Sequence, residues 1–337
     1  MKIALITINQ PSLNSACELF PYLHEYEVDV YGKKDLTHNL KELKLYKNLD
    51  DILAPAWREY DAIVCLLAMG AVVRKIAPLL EGKATDPAVI VINLGLDKIV
   101  PLLSGHLGGA NDLADKIAKS LPNCVNFIST ATDQTKTLAF EMLAKQNNWK
   151  IENLKALAKV SNRLLNKQPV KVATYENVFE SIPNKENLSL VGFENLDLDT
   201  VVIDPSITSE CLTFRPKVYL GIGCNRDTPL SEIEEAVKQF LETHKLNMDD
   251  IGNIGSFEAK ADEVGLLEFS KKYNFDTEFY EKDAINALEN SFSDSASTKF
   301  FGLKGVAEPS AILASTYQEL LFNKKVYFKS VTVAGAI

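Results

Sequence analysis

The sequence predicts a multi-domain α/β protein, with mostly parallel sheets carrying helices on both faces and a small variable unit in the middle. Three features lead there. The chain has 337 residues, more than twice the roughly 150-residue prior for one domain. Short, continuous apolar runs alternate with helical patterns in the first third and again near the end, as strands buried on both faces require. The composition, 46% hydrophobic and 24% charged, is that of a globular protein and excludes a disordered or collagen-like chain.

Ile3–Ile8 reads as a strand, Leu13–Leu23 as a helix and Val28–Tyr31 as a second strand. Ala62–Leu67 is an apolar run followed by helical sequence from Ala71 to Leu80. Val89–Asn93 and Ile99–Leu103 are strands, then come a helix near Gly109–Ser120, a strand Val125–Ile128 and a helix Thr135–Gln146. The pattern then weakens: a basic helical stretch Leu154–Leu165, then Val170–Thr174, polar loops and Val201–Ile203. Alternation resumes with Val218–Leu220, helices at Leu230–His244, Glu263–Lys272 and Pro309–Leu321, and a closing strand around Ser330–Ala334. The expected domains are therefore 1–148, 149–213 and 214–337.

A net charge of −9 gives no overall electrostatic footprint for nucleic acid or an anionic membrane, so an anionic ligand needs a local basic patch. The five cysteines (Cys17, Cys65, Cys124, Cys211, Cys224) are scattered without metal-ligand spacing, so neither a disulfide framework nor a metal site is expected. The longest apolar run, Ala62–Val73, has 12 residues, against about 20 for a spanning helix. Lys2 and the short run Ile3–Ile8 do not make a signal peptide. A cytoplasmic protein is expected.

Ligands of open α/β sheets bind beyond the carboxyl ends of strands, so residues just after strands are the informative ones. In Met69–Lys75, Gly70 leaves backbone open to a ligand and Arg74 can grip a carboxylate in two-pronged fashion, although a turn with solvated charges explains the segment as well. In Ser104–Asn111, three glycines (Gly105, Gly108, Gly109) make an anion-friendly nest around His106, a side chain able to activate water near neutrality. A histidine in a glycine turn is otherwise a structural hydrogen-bonder; Ser104 and Asn111 tilt the segment toward function. Thr132 or Asp133 caps the next helix on the bland reading, and on the functional one Asp133 stands beside His106. Gly221-Ile222-Gly223-Cys224-Asn225-Arg226 begins like a dinucleotide fingerprint but has Arg226 where the last glycine belongs. Cys224 reads as a packed thiol, and Lys260, Glu263 and Glu308 belong to two further clusters of the last domain.

Taken together these segments resemble the cobalt-precorrin 5A hydrolases of anaerobic cobalamin biosynthesis. The resemblance rests on Gly70–Leu80, Lys83 with Asp86–Val89, Leu103–Asn111 and Thr130–Asp133, and independently on Gly221–Cys224, Lys260 with Glu263, Gly305–Pro309 and Thr332–Ala334. It implies a reaction that opens a lactone on a cobalt-bound, ring-contracted tetrapyrrole and expels the extruded carbon with its methyl group as acetaldehyde. On that chemistry Arg74, Lys75, Arg226 and Lys260 are counter-charges to substrate carboxylates, His106 is the candidate base, and the Gly108 and Gly109 amides are oxyanion donors. Asp133, Glu263 and Glu308 are the other catalytic candidates. Gly70, Ser104, Gly105, Asn111, Thr132, Gly221, Gly223 and Cys224 complete the expected substrate-binding set. The cobalt arrives within the substrate, so no metal or cofactor held by the protein is expected. Expected partners are the tetrapyrrole and, transiently, neighbouring corrin-pathway enzymes, with no nucleic acid and no membrane. Two rival classes are a non-catalytic tetrapyrrole carrier, which has no need of His106 and Asp133 at the reactive edge, and a nucleotide-dependent oxidoreductase, which would bind NAD(P).

Overall fold

The computed structural model describes residues 1–36, 43–82, 85–129, 137–290, 292 and 302–337. The first of its two units, Met1–Lys136, runs β1 (Lys2–Ile6), α1 (Gln10–Leu19), β2 (Glu27–Lys33), β3 (Lys44–Tyr46), α2 (Asp50–Glu59), β4 (Ala62–Cys65), α3 (Met69–Ile76), β5 (Ala88–Ile92), β6 (Lys98–Leu103), α4 (Ala110–Ser120) and β7 (Val125–Asn126). The strands form one sheet in the order β3-β2-β1-β4-β5-β6-β7. Successive residues of each central strand serve opposite layers, which is why those strands are apolar throughout. Ile3, Leu5, Val64 and Ile90 pack with Leu13 of α1 and Leu113 of α4. Ala4, Ile6, Ile63 and Val89 pack with Trp57 of α2 and Val72 of α3. Each fully buried aliphatic side chain of this kind contributes about 1.5–3 kcal/mol.

Helix α1 starts earlier than Leu13 because Asn9 and Ser12 cap it reciprocally: the Ser12 N–H donates to Asn9 Oδ1 at 2.9 Å and the Asn9 N–H to Ser12 Oγ at 3.0 Å. Its expected last turn, Phe20–Leu23, is a 3₁₀ helix.

The last two strands, β6 and β7, run against the other five, with consequences for function. β5 and β6 are antiparallel, with Val89 opposite Leu103 and Ile92 opposite Ile99. Only Asn93–Asp97 joins them, and a parallel crossover needs a dozen residues or more. β6 and β7 are again parallel, joined through α4.

The second unit, Thr137–Ile337, runs α5 (Phe140–Gln146), β8 (Lys150–Glu152), α6 (Leu157–Leu165), β9 (Val170–Ala173), α7 (Glu176–Ser181), β10 (Leu188–Val191), β11 (Val201–Ile203), β12 (Leu212–Arg215), β13 (Val218–Cys224), α8 (Leu230–Thr243), β14 (Ile251–Phe257), α9 (Val264–Tyr273), β15 (Thr277–Tyr280), α10 (Lys282–Ala287), α11 (Ala307–Ala314), β16 (Leu320–Tyr327) and β17 (Val331–Ala336). It holds two sheets, ordered β10-β9-β11-β12-β8 and β15-β14-β13-β17-β16. β8 and β17 are the antiparallel members. One hydrophobic cluster, from Phe140 through Phe214 and Phe240 to Ile337, links both sheets. Residues 137–148, placed by the sequence at the end of the first domain, supply Phe140, Leu143 and Ala144 to this cluster.

Two elements near the end differ from expectation. The helix expected over Pro309–Leu321 stops at Ala314, and Leu320 opens a strand. Ser315 ends it: its hydroxyl accepts the Gln318 N–H at 3.1 Å, and Gln318 adopts φ +55°. The strand expected to end at Leu220 continues to Cys224, so Gly221 and Gly223 lie inside β13. No helix among the described residues is long and apolar enough to cross a membrane.

Candidate functional site

The expected site residues fall into three groups. The first follows β4. Gly70 is the second residue of α3, and a Cβ there would meet only Arg74 Nη1, at 3.6 Å. Arg74 is exposed and its Nη1 donates to the Gly70 carbonyl at 3.2 Å. Lys75 is tied to Asp50 at 2.7 Å in an exposed ion pair, of a class that contributes about 0–1 kcal/mol.

The second group follows β6. Because β6 runs against β5, the Ser104–Asn111 loop lies at the amino edge of β5, not beside Gly70 and Arg74. The Ser104 hydroxyl donates to the Asp86 carbonyl, two residues before β5, at 2.9 Å. The two groups are thus set apart by the length of a five-residue strand, roughly 16 Å. Because of that reversal, the carboxyl-edge rule does not bring these two post-strand segments together. A sequence cue existed: two apolar runs separated by five residues containing Gly95 make a hairpin.

The loop itself is closely folded. Gly109, at φ +83°, is the N-cap of α4, a conformation that glycine adopts without penalty. The Ala110 and Asn111 N–H groups donate to the Ser104 and Gly105 carbonyls at 3.1 and 3.0 Å, and the Gly109 N–H donates to the His106 carbonyl at 3.0 Å. These first amides of the helix are therefore spent inside the loop, and Gly109 is removed from the oxyanion-donor role foreseen for it. A Cβ on Gly108 would stand 2.4 Å from Ser104 Cβ, and one on Gly105 2.7 Å from Asn111 Oδ1. His106 is half-buried in this loop, and Asn111 is buried. The parallel pairing of β6 and β7 brings the segments after both strands to the same edge. Thr132 and Asp133, like Thr130, Ala131 and Lys83, lie outside the described residues.

The third group gathers at the carboxyl edge of β13 and β14. Glu263, 3% exposed, precedes α9 and is the hub. Its Oε1 accepts the Asp227 N–H at 2.6 Å, while Oε2 lies 3.4 Å from Lys260 Nζ and 3.5 Å from Arg226 Nη1. Arg226 also pairs with Asp262, which pushes the guanidinium up and the Asp262 carboxyl down from their usual ranges, and donates from Nη2 to the Ala259 carbonyl at 2.9 Å. Cys224 shares this environment. Burial pushes its thiol up to about 11, with Lys260 and Arg226 opposing the shift and Glu263 adding to it, so it is protonated at neutral pH. The cluster combines cations that suit a carboxylate-bearing ligand with a buried carboxylate that orders them.

Gly221, Gly223 and Glu308 have other surroundings. A Cβ on Gly221 would stand 1.7 Å from the Ala307 carbonyl oxygen, and one on Gly255 of β14 2.3 Å from that of Ser310. These glycines let α11 lie directly on the sheet, so the Gly221–Cys224 and Gly305–Pro309 motifs are packing partners. A Cβ on Gly223 would stand 2.6 Å from Thr332 Oγ1. Glu308, 3% exposed, accepts the Lys324 N–H on β16 at 3.0 Å. Asp86 went unread as a site residue in the sequence; its carboxylate accepts the Glu81 N–H at 2.9 Å and its carbonyl holds Ser104. The Asp-Pro pair opening an apolar run was the cue. Among the described residues no group of three or more His, Cys, Asp or Glu is arranged to hold a metal ion.

Comparison with known proteins gives matches along most of the chain. Family models for the cobalamin synthesis G N-terminal region, the cobalamin biosynthesis central region and the cobalamin synthesis G C-terminus match residues 51–133, 138–209 and 218–336. The cobalt-precorrin-5A hydrolase of Priestia megaterium is 30% identical over 295 residues, 81% of this chain and 78% of that protein. That of Salmonella typhimurium is 31% identical over 278 residues, 79% of each. A solved structure described as a cobalamin biosynthesis protein G homolog from Sulfolobus solfataricus is 23% identical, with a TM-score of 0.41, covering 99% of this chain and 96% of that one.

Proposed function

The chain belongs to the cobalamin synthesis G family, and from that membership we propose that it is a cytoplasmic cobalt-precorrin-5A hydrolase. The observation that carries this reading is the reach of the likeness: the matched segments include both the His106 loop and the Arg226–Lys260–Glu263 cluster. Water adds to the lactone carbonyl and the acyl–oxygen bond breaks, leaving a carboxylate and a hydroxyl on the extruded carbon. That hydroxyl then loses its proton as the carbon–carbon bond to the macrocycle breaks. The bonding pair passes into the macrocycle, a proton is taken up there, and acetaldehyde leaves. The cobalt is part of the substrate.

His106 is proposed as the base that takes the proton of the attacking water, and Gly108 as the remaining amide donor of its loop. Ser104, Gly105 and Asn111 hold that loop in shape. Arg226 and Lys260 are proposed to bind substrate carboxylates, and Arg74 and Lys75 to serve as counter-charges at the opposite edge of the first sheet from His106. The surroundings of Glu263 favour a positioning role over proton transfer: both carboxylate oxygens are engaged, one by the Asp227 N–H and the other by Lys260 and Arg226.

The test is anaerobic incubation with cobalt-precorrin 5A, with acetaldehyde followed by coupled alcohol dehydrogenase. The wild-type protein should release one acetaldehyde per tetrapyrrole consumed, and His106→Asn should be slower by roughly a hundredfold or more. Tight tetrapyrrole binding without acetaldehyde would replace the hydrolase by the carrier. Full turnover by His106→Asn would take that residue out of the base role.

A further inference from the structure

A third segment reaches the carboxyl edge of the last sheet beside the Arg226 loop. The β16–β17 turn is closed by the Ser330 N–H, which donates to the Tyr327 carbonyl at 3.1 Å. Its two central residues have φ +52° at Phe328 and +63° at Lys329. This is the φ pattern of a type I′ turn, whose central positions favour Asn and Gly because larger side chains crowd the backbone there. Among the described residues these are the only two consecutive non-glycine residues with positive φ.

The turn is held from outside. The Asn225 N–H donates to the Ser330 carbonyl at 2.8 Å, and the Ser330 hydroxyl bonds the Glu232 carboxylate at the start of α8. Asn225 directly precedes Arg226, so the strained turn is pinned by the loop that carries one cation of the cluster. Its side chains are not consumed by packing: Phe328 is 51% exposed, and Lys329 is exposed. A costly conformation, fixed by its neighbours and presenting an aromatic ring and an ammonium to solvent, is the pattern of strain kept for recognition.

We propose that Phe328 and Lys329 form a recognition finger for the tetrapyrrole, Phe328 stacking on the macrocycle face and Lys329 pairing with a peripheral carboxylate. The inference rests on the substrate reading above. A partly conjugated macrocycle rimmed by carboxylates is matched by an aromatic surface flanked by cations, and Phe328 with Lys329, Arg226 and Lys260 supplies both.

The double substitution Phe328→Asn with Lys329→Gly tests it, because it installs the residues this turn prefers while removing the finger. The variant should melt several degrees higher than wild type. It should have a KM raised about tenfold or more with kcat within about threefold, since a lost stacking or charge contact of ordinary size changes affinity by that order. Phe328→Leu, which removes the aromatic face and keeps the turn strained, should raise KM without raising the melting temperature. Binding of cobalt uroporphyrin, an unreactive octacarboxylate, should weaken in parallel for both variants. An unchanged KM and uroporphyrin affinity would overturn the proposal, as would a lower melting temperature in the double variant, which would show the residues to be structural. Acetaldehyde release by the wild type reports separately on the substrate reading: if it fails while uroporphyrin binding still depends on Phe328, the finger stands and the reaction does not.

Discussion

Replacing Gly221 by alanine puts a methyl carbon where α11 leaves no space. The added Cβ would stand 1.7 Å from the Ala307 carbonyl oxygen, 2.6 Å from the Ala311 nitrogen and 2.7 Å from the Ala307 carbonyl carbon. All three atoms are backbone, so no side-chain rotation relieves the overlap. The helix must lift by well over an ångström, and Ala307–Ile312 are all buried, so the lift opens voids along its length. Overpacking of a close-packed core costs about 1–3 kcal/mol, and a backbone-on-backbone clash belongs at or above the top of that range. With about 2–4 °C per kcal/mol for a unit of this size, thermal unfolding followed by circular dichroism should move down by about 6–12 °C. The enzyme that remains folded at low temperature should keep its KM, because the glycine serves the helix. An unchanged melting temperature with a raised KM would refute the packing argument and return Gly221 to the substrate.

The mirror experiment is Gly70→Ala. Its Cβ stands on an exposed residue at ordinary contact distance, 3.6 Å, from Arg74 Nη1, so unit 1 should gain about 0.5–1 kcal/mol in denaturant titration, and a loss would contradict the geometry. Glu263→Gln keeps shape but removes the charge that orders Arg226 and Lys260. KM should rise several-fold with kcat little changed, whereas loss of a proton-transfer group would lower kcat by about 10²–10⁴. Cys224, with its thiol at about 11, should alkylate slowly at pH 7 and about tenfold faster per pH unit until the thiolate predominates. Peptide mass spectrometry reads this, and complete labelling within minutes at pH 7 would contradict the burial effect.

The first sheet was legible because a strand covered on both faces must be apolar at every position, and Ile3–Ile6, Ala62–Cys65 and Ala88–Ile92 are. Helix α2 was hidden by Pro55, although Leu53, Ala56, Trp57 and Tyr60 keep helical spacing and are buried. β14 was hidden for a different reason: Ile251–Phe257 contains two glycines and Asn253, and Gly255 is there for the close approach of α11. β16 passed for the end of a helix because Leu320-Leu321-Phe322 is equally apolar in either period.

The site was legible in residue type and less so in direction. Cys224, Arg226, Lys260 and Glu263 stand together because β13 and β14 are adjacent and parallel, the case that the carboxyl-edge rule describes. The same rule does not unite Arg74 with His106, since the hairpin at Asn93–Asp97 reverses β6 and carries the His106 loop to the other edge. The Phe328–Lys329 turn was silent for lack of the Asn-Gly sequence that announces such turns.

The most direct test of the central claim is a single turnover in ¹⁸O-enriched water under anaerobic conditions, with both products analysed by mass spectrometry. Hydrolysis of the lactone predicts one ¹⁸O in the newly formed carboxylate of the tetrapyrrole and acetaldehyde equal to the tetrapyrrole consumed. A tetrapyrrole product lacking the label, or one formed without acetaldehyde, would contradict it.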